Sequence, residues 1–364
     1  MIASIFKRTI LFISFIIIVN VSFAFSPDQL LKQAWDKEGT ISLFGRMSSQ
    51  GYFGDRKVLS EVELFWLPPK KIRREFISQK ELRLVLVSDE TSEWRYFPKR
   101  NMIVFSPMPP ESKITPERWN LIQKNYAIKY LGTQPILTRS AAVINIESKN
   151  GHNPSRKLWI DLQQPVILKS EQYNSDTQLV SSSYFTELSF KKRIDPKLFA
   201  IPTSARIVRR SETMHHRYTL EEGRKIIHFS LKTATYLPAG YIVDGCYTWQ
   251  QRDQSGPASI QLRYTDGLNT ISIFEHLKQD ETAVENRANQ RWYNRDSSQR
   301  WRSNEPNQER NRRGGRASDS RSREDASMTR PQGKMVRIDK DNIQCVIFGD
   351  LPQSELQKIA QSLH

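Results

Sequence analysis

The sequence predicts a mainly β protein with a few helices, built as two antiparallel units, and three observations carry that prediction. Apolar and polar residues alternate in runs from residue 58 to 190 and again from 226 to 348, the period that lines one face of a strand. Pro, Gly, Asn and Asp punctuate those runs, and helical spacing is confined to three short segments. With 364 residues, 38% of them hydrophobic and 10% aromatic, the chain has apolar material for one large or two ordinary domains. A small disulfide scaffold and a wholly disordered chain are excluded.

The first 24 residues stand apart. Lys7 and Arg8 precede an apolar run over 9–19, and Ser22 and Ala24 supply the small residues of a signal-peptidase site. The run is short for a hydrocarbon core of ~30 Å, so a cleaved signal peptide over 1–24 is expected, with an uncleaved anchor as the rival. Export changes the meaning of Cys246 and Cys345, the two cysteines. They either close a disulfide, worth about 4 to 5 kcal/mol in loop entropy, or lie buried as free thiols.

Residues 27–35 open as a helix with Leu30, Leu31 and Ala34 along one side. In residues 58–66, Ser60, Val62, Leu64 and Trp66 form one alternate set, and Glu61 and Glu63 face the other way. Strands are expected next at 71–76, 82–87, 93–97 and 102–105, with Lys99-Arg100-Asn101 as a turn. Thr115 caps and Pro116 opens a helix over 115–125 that directs Trp119, Ile122 and Gln123 toward the sheet. Strands at 142–147, 157–162, 166–173 and 179–190 complete a first domain over 25–202. A long sheet with helices on one face buries both side-chain sets only by curling, so a curved antiparallel sheet is expected.

Residues 203–224 are polar and read as a linker. Their Arg206, Arg209, Arg210 and Arg217 are candidates to contact a protein partner or an anionic surface. The adjacent His215 and His216 have no companion ligands nearby in sequence and read as solvated rather than metal-binding. A second domain over 225–364 is expected to hold strands at 226–231, 241–249, 258–264, 268–274, 334–338 and 344–348, with Gly267 in a hairpin turn. A closing helix over 353–363 would bury Leu356, Ile359, Ala360 and Leu363. Residues 287–330 interrupt this domain with 12 arginines against six acidic residues, a net +6 of the chain's +16. That insertion is expected to be disordered, as a spacer or as a contact for anionic surfaces or an acidic partner. Export argues against nucleic acid as its target.

Chemistry is sparse. The sequence has no Gly-rich phosphate loop, paired-cysteine metal motif, His-Glu-x-x-His helix or Gly-x-Ser-x-Gly elbow. No enzyme activity, metal or cofactor is therefore expected. An incompletely curled sheet leaves an apolar hollow, and Val62, Leu64, Trp66, Leu84, Leu86, Trp94, Tyr96, Ile103 and Phe105 are the candidates to line it. An acyl chain would gain ~0.8 kcal/mol per methylene there. The alternative is that these side chains fill one another's gaps as a core.

Several passages, in order, carry a specific likeness: Asn125-Tyr-Ala-Ile-Lys-Tyr-Leu-Gly132, Lys157-Leu-Trp-Ile-Asp161, Pro165-Val-Ile-Leu-Lys-Ser170 and Tyr184-Phe-Thr-Glu-Leu-Ser-Phe190. In the second unit they are Leu237-Pro-Ala-Gly-Tyr241, Tyr264-Thr-Asp-Gly-Leu-Asn-Thr-Ile-Ser-Ile-Phe274 and Gly349-Asp-Leu-Pro352. Together they resemble the RseB/MucB family, periplasmic regulators of the envelope-stress sigma factor in Gram-negative bacteria. The resemblance implies a first domain that looks like the lipoprotein carriers LolA and LolB, a half-open barrel with helices in its concavity, and a smaller C-terminal sheet domain. It implies binding to a membrane-anchored anti-sigma factor and release by an acyl-bearing lipid, lipoprotein or lipopolysaccharide. A carrier of lipids or lipoproteins is the alternative, and a homodimer is left open. Departures fall at Leu137-Thr-Arg139, at 150–156 and in the arginine-rich insertion.

Overall fold

The computed structural model describes residues 26–53, 56–78, 81–107, 114–151, 153–209, 217–249, 259–278 and 334–364. The export segment, Arg210, the His215–His216 pair and the 287–330 insertion lie outside those residues. The chain begins with helix α1 (Pro27–Lys37), which buries Leu30, Leu31 and Ala34 as its spacing requires. Six strands follow: β1 (Leu43–Phe53), β2 (Arg56–Leu67), β3 (Lys71–Ser78), β4 (Glu81–Ser88), β5 (Ser92–Phe97) and β6 (Met102–Pro107). Helix α2 (Pro116–Asn125) starts where Thr115 accepts the Arg118 N–H. Then come β7 (Tyr126–Ile136), β8 (Arg139–Ser148), β9 (Ser155–Asp161), β10 (Ile167–Tyr173) and β11 (Leu179–Ser189).

These strands, with β12 (Arg206–Arg209), form one sheet of twelve in the order β12-β6-β5-β4-β3-β2-β1-β11-β10-β9-β8-β7. The expected half-open barrel is not formed. The order ends in β12 and β7, which do not pair with each other, and the sheet is neither closed nor strongly curled. The reason lies in how its apolar surface is covered. Helices α1 and α2 bury the side of β8 and β9 that carries Ala142, Ile144, Leu158 and Ile160. Ile194 and Phe199 from the segment after β11 pack on Phe65, Val85 and Trp94. Burial is thus supplied by local cover rather than by closure. Edge strand β7 is blunted by Pro135, by Gly132 at φ 114°, and by a register shift between Tyr130 and Thr133.

The second sheet has six strands in the order β13-β14-β15-β16-β18-β17. They are β13 (Arg217–Tyr218), β14 (Ile242–Trp249), β15 (Ser259–Thr265), β16 (Thr270–Leu277), β17 (Lys334–Lys340) and β18 (Ile343–Gly349). Helix α4 (Gln353–Gln361) buries Leu356, Ile359 and Ala360 against it. Between the sheets the structure adds detail to one expectation and corrects another. The segment read as a linker contributes a strand to each sheet, β12 parallel to β6 and β13 antiparallel to β14. Residues 226–231 are not a strand; they follow helix α3 (Leu220–Ile226), which a capping box between Thr219 and Glu222 nucleates.

Cys246 and Cys345 are buried free thiols. Cys246 pairs with Leu262 of β15 and Cys345 with Glu275 of β16, so two strands separate them. Three strand spacings amount to ~14 Å, about twice the reach of a disulfide. Burial first, and the nearby Glu275 second, push the thiols up to about 11 and about 12.

Glu275 is 0% exposed at the centre of this core. Its Oε2 accepts the Lys232 N–H at 2.8 Å, and among the described residues its Oε1 has no partner. Burial pushes its pKa up to about 8, against the pull of the Lys232 N–H and charge. The folded protein therefore holds a proton that the unfolded chain sheds above about pH 4.5, and stability falls as pH rises from there to about 8. Glu275→Gln keeps the acceptor and removes the titration. Chemical denaturation at pH 5 and at pH 8.5 should show a stabilisation by the variant that is small at the lower pH and grows to a few kcal/mol at the higher. An equal effect at both pH values would refute this account.

Candidate functional site

The two sheets meet around the β15–β16 turn. The β15–β16 connection, Asp266-Gly267-Leu268-Asn269, is an Asx turn in which Asp266 Oδ1 accepts the N–H groups of Leu268 at 2.9 Å and Asn269 at 2.6 Å. That uses one carboxylate oxygen within the turn. The other, Oδ2, faces the first sheet and accepts from the Tyr126 hydroxyl, from Asn153 Nδ2 at 3.1 Å and from Asn269 Nδ2 at 3.2 Å. Asn269 also donates to the Tyr126 oxygen at 2.7 Å. Asp266 is 0% exposed and Tyr126 1%. Burial and the Asp266 charge hold the Tyr126 and Tyr241 phenols well above their ordinary range, so both remain donors.

Helix α2 is built to receive this turn. Its last residue, Asn125, is 3% exposed and donates to the carbonyls of Gly240 at 2.8 Å and Asp266 at 2.9 Å. Arg118 Nε donates to the Gly267 carbonyl at 2.8 Å. Gly267, at φ 98°, lies so close to α2 that a Cβ would sit 2.8 Å from the Ile122 nitrogen. Gly240, at φ 91°, would place a Cβ 2.8 Å from Asn125 Oδ1. Leu268 completes the contact by packing among Leu30, Trp119, Ile122 and Ile144.

A cleft opens on each side of the turn. Toward α2 lies a groove of about 300 Å³ lined by Glu117, Arg118, Leu121, Arg217, Ile242, Val243 and Arg263. Ile242 and Val243 are 51% and 43% exposed. Beyond them Asp244 joins two arginines, pairing with Arg263 and accepting Arg217 through its carbonyl. Among the described residues, strand β13 pairs only with Tyr247 and Cys246, leaving the outer edge of β14 open at Ile242 and Val243. Toward β9 and β10 lies a second cleft.

The predicted site residues do not assemble into one hollow. Cross-strand register puts Val62, Leu64, Trp66, Leu84 and Leu86 on one face, because Leu64 opposes Arg74 and Arg74 opposes Leu86. Leu86 in turn opposes Arg95, while Trp94 opposes Val87 and Phe105, so Trp94, Tyr96, Ile103 and Phe105 belong to the other face. Phe65 is buried between Leu64 and Trp66, so β2 is covered on both sides. Of the arginines, Arg206 and Arg209 lie on the edge of the large sheet, Arg217 lines the groove, and Arg210 is outside the described residues. Among the described residues no group of three His, Cys, Asp or Glu side chains is placed to hold a metal ion. Asn125, Tyr126, Asp266 and Gly267 fall within the passages that carried the family likeness. The available signal was a Tyr-Thr-Asp-Gly turn whose Asp is flanked by apolar runs.

Residues 97–203 match the family model described as MucB/RseB N-terminal domain. A solved complex of Pseudomonas aeruginosa MucA/MucB aligns with 93% of this chain and 98% of its own at 14% identity, with a TM-score of 0.57. The chain shares the MucB fold. A second structure, MucB in complex with MucA(peri), gives 14% identity over 93% and 98% of the two chains with a TM-score of 0.56. A structure of MucB alone gives 15% identity over 93% and 97%, with a TM-score of 0.51. No curated protein matches the sequence.

Replacing Asp266 by Ala strands the Tyr126 and Asn153 donors and two backbone N–H groups, each costing about 1–3 kcal/mol. Urea denaturation should show a loss of several kcal/mol. Gly267→Val, which forces a Cβ into α2, should instead increase proteolysis between the two sheets. Native-like stability in the first variant and native-like protection in the second would show that the junction does not depend on this turn.

Proposed function

We propose that this protein is a non-catalytic regulator of an envelope-stress sigma factor pathway in the periplasm of a Gram-negative bacterium. In this reading it holds the periplasmic part of a membrane-anchored anti-sigma factor. The observation that carries the reading is the extent of the MucB likeness, which spans both sheets and the junction between them in a structure solved with MucA. The family-model match over 97–203 supports it independently. The domain division at 203–224 is part of the proposal, with the Asp266 turn as the fixed contact between the units.

The partner's place is the groove between α2 and β14. An extended segment added to the open edge there would gain backbone hydrogen bonds, and Ile242, Val243 and Leu121 would supply apolar contact. Arg217 is the predicted partner residue that lies in this groove. The nine apolar candidates divide between the two faces of the large sheet, so they do not line one common acyl-chain hollow.

Affinity capture of the full chain from detergent-solubilised envelopes should recover one membrane-anchored protein with a cytoplasmic sigma-binding domain. Recovery of acylated molecules without such a protein would overturn the reading in favour of a carrier. Exchanging Ile242 and Val243 for Asp together should cut capture at least tenfold, about 1.4 kcal/mol, without lowering the melting temperature. Undiminished capture would place the contact elsewhere.

A further inference from the structure

The groove between α2 and β14 carries more positive charge than its own carboxylates neutralise. Arg118, Arg217 and Arg263 line it together with Glu117 and Asp244. Glu117 is engaged at the start of its own helix, where its backbone N–H and the Thr115 hydroxyl hold its carboxyl below the usual range. Asp244 has two claimants. Its Oδ2 pairs with Arg263, whose side chain is 9% exposed and lies over the Tyr247 ring at 4.2 Å. Arg217 comes second, with its Nη2 3.5 Å from Oδ1 and 57% of its side chain exposed. One carboxylate thus serves two guanidiniums, and the surplus charge sits on the exposed one.

That guanidinium is held at the open edge of β14. Its Nε and Nη2 donate to the Asp244 carbonyl at 2.8 and 2.5 Å. The carbonyl is therefore occupied, and the backbone left to an added strand is the short run of Ile242 and Val243, next to it in the chain. So short a ladder supplies little selectivity, which must come from side chains.

We propose that the occupant of this groove is an acidic extended segment, with alternating apolar side chains against Ile242 and Val243 and a neighbouring Asp or Glu paired with Arg217. This rests on the docking of the partner in this groove and adds the partner's chemistry. A guanidinium already fixed by two hydrogen bonds loses little freedom on meeting a carboxylate. A basic segment would set like charges against Arg217 and Arg118. A small anion fits less well, because Ile242 and Val243, 51% and 43% exposed, would stay uncovered.

Three blocked heptapeptides test the proposal on the full chain: Asp-Val-Thr-Val-Thr-Val-Asp and its counterparts ended by Asn and by Lys. Calorimetry and amide chemical shifts should show saturable binding with shifts at Arg217, Ile242 and Val243. The Asp-ended peptide should bind about fivefold tighter than the Asn-ended one, the Lys-ended peptide most weakly, and the preference should shrink in high salt. Arg217→Gln should bring the Asp-ended peptide to the level of the Asn-ended one, and Arg217→Glu should rank the Lys-ended peptide first, with the melting temperature within a degree of the parent. The Gln variant decides the matter if the Glu variant does not fold. Equal affinity of the parent for all three peptides, with shifts still at Ile242 and Val243, would overturn the acidic preference and leave the groove reading standing. An acidic preference that survives Arg217→Gln would do the same. Absence of any saturable binding at the groove would overturn both.

Discussion

A single buried carboxylate organises the contact between the two sheets. Removing Asp266 from water is costly unless every lone pair finds a donor, and the fold meets that demand from both sides. Two backbone N–H groups of its own turn occupy one oxygen, and the Tyr126 hydroxyl with two carboxamides takes the other. The donors to that second oxygen come from β7, from the loop before β9 and from the turn itself, while Asn125 at the end of α2 holds the Asp266 carbonyl. Those elements must therefore be in place before the carboxylate is satisfied, and the relative placement of the sheets is fixed by polar geometry as well as by the packing of Leu268.

This arrangement gives the two clefts a common wall. Thr270 lines both the groove beside α2 and the second cleft beside β9. Arg118 on one side and Arg156 on the other hold successive carbonyls of the same turn, those of Gly267 and Leu268. A change of occupant in one cleft can reach the other through Thr270 or by moving this turn, and the glycine at 267 leaves no slack against α2. Coupling between the clefts would thus need differential contact with two placements of the turn.

Much of the architecture was legible in the sequence because side-chain period and turn chemistry are local. The α2 cap, the Gly267 turn and the buried stripe of α4 are present where pattern reading places them. Strands β1 and β7 were not anticipated. Strand β1 carries Gly45, Gly51 and three polar residues at 48–50, and β7 is mostly exposed, so neither shows an alternating apolar signal. The division of the nine apolar candidates between faces was hidden because register, not sequence, relates one strand's alternation to the next. Closure failed as an inference because cover by α1, α2 and the segment after β11 depends on contacts distant in sequence. The Asp266 site was overlooked for the same reason: its turn is local, whereas its partners lie more than a hundred residues upstream.

The place of β1 in the large sheet sets a timetable for assembly. Strands β1 to β6 can zip as successive hairpins, and so can β7 to β11, but the two halves join only through β1 and β11. A ribosome or translocon delivering the chain from its amino end exposes the outer rim of β1 until residue 189 has emerged. During that interval the rim is open to foreign strands, and its run of Ser48, Ser49 and Gln50 makes it a poor template for them. The weak apolar signal that conceals this strand from pattern reading is thus also what keeps the half-made sheet from sticking to its neighbours.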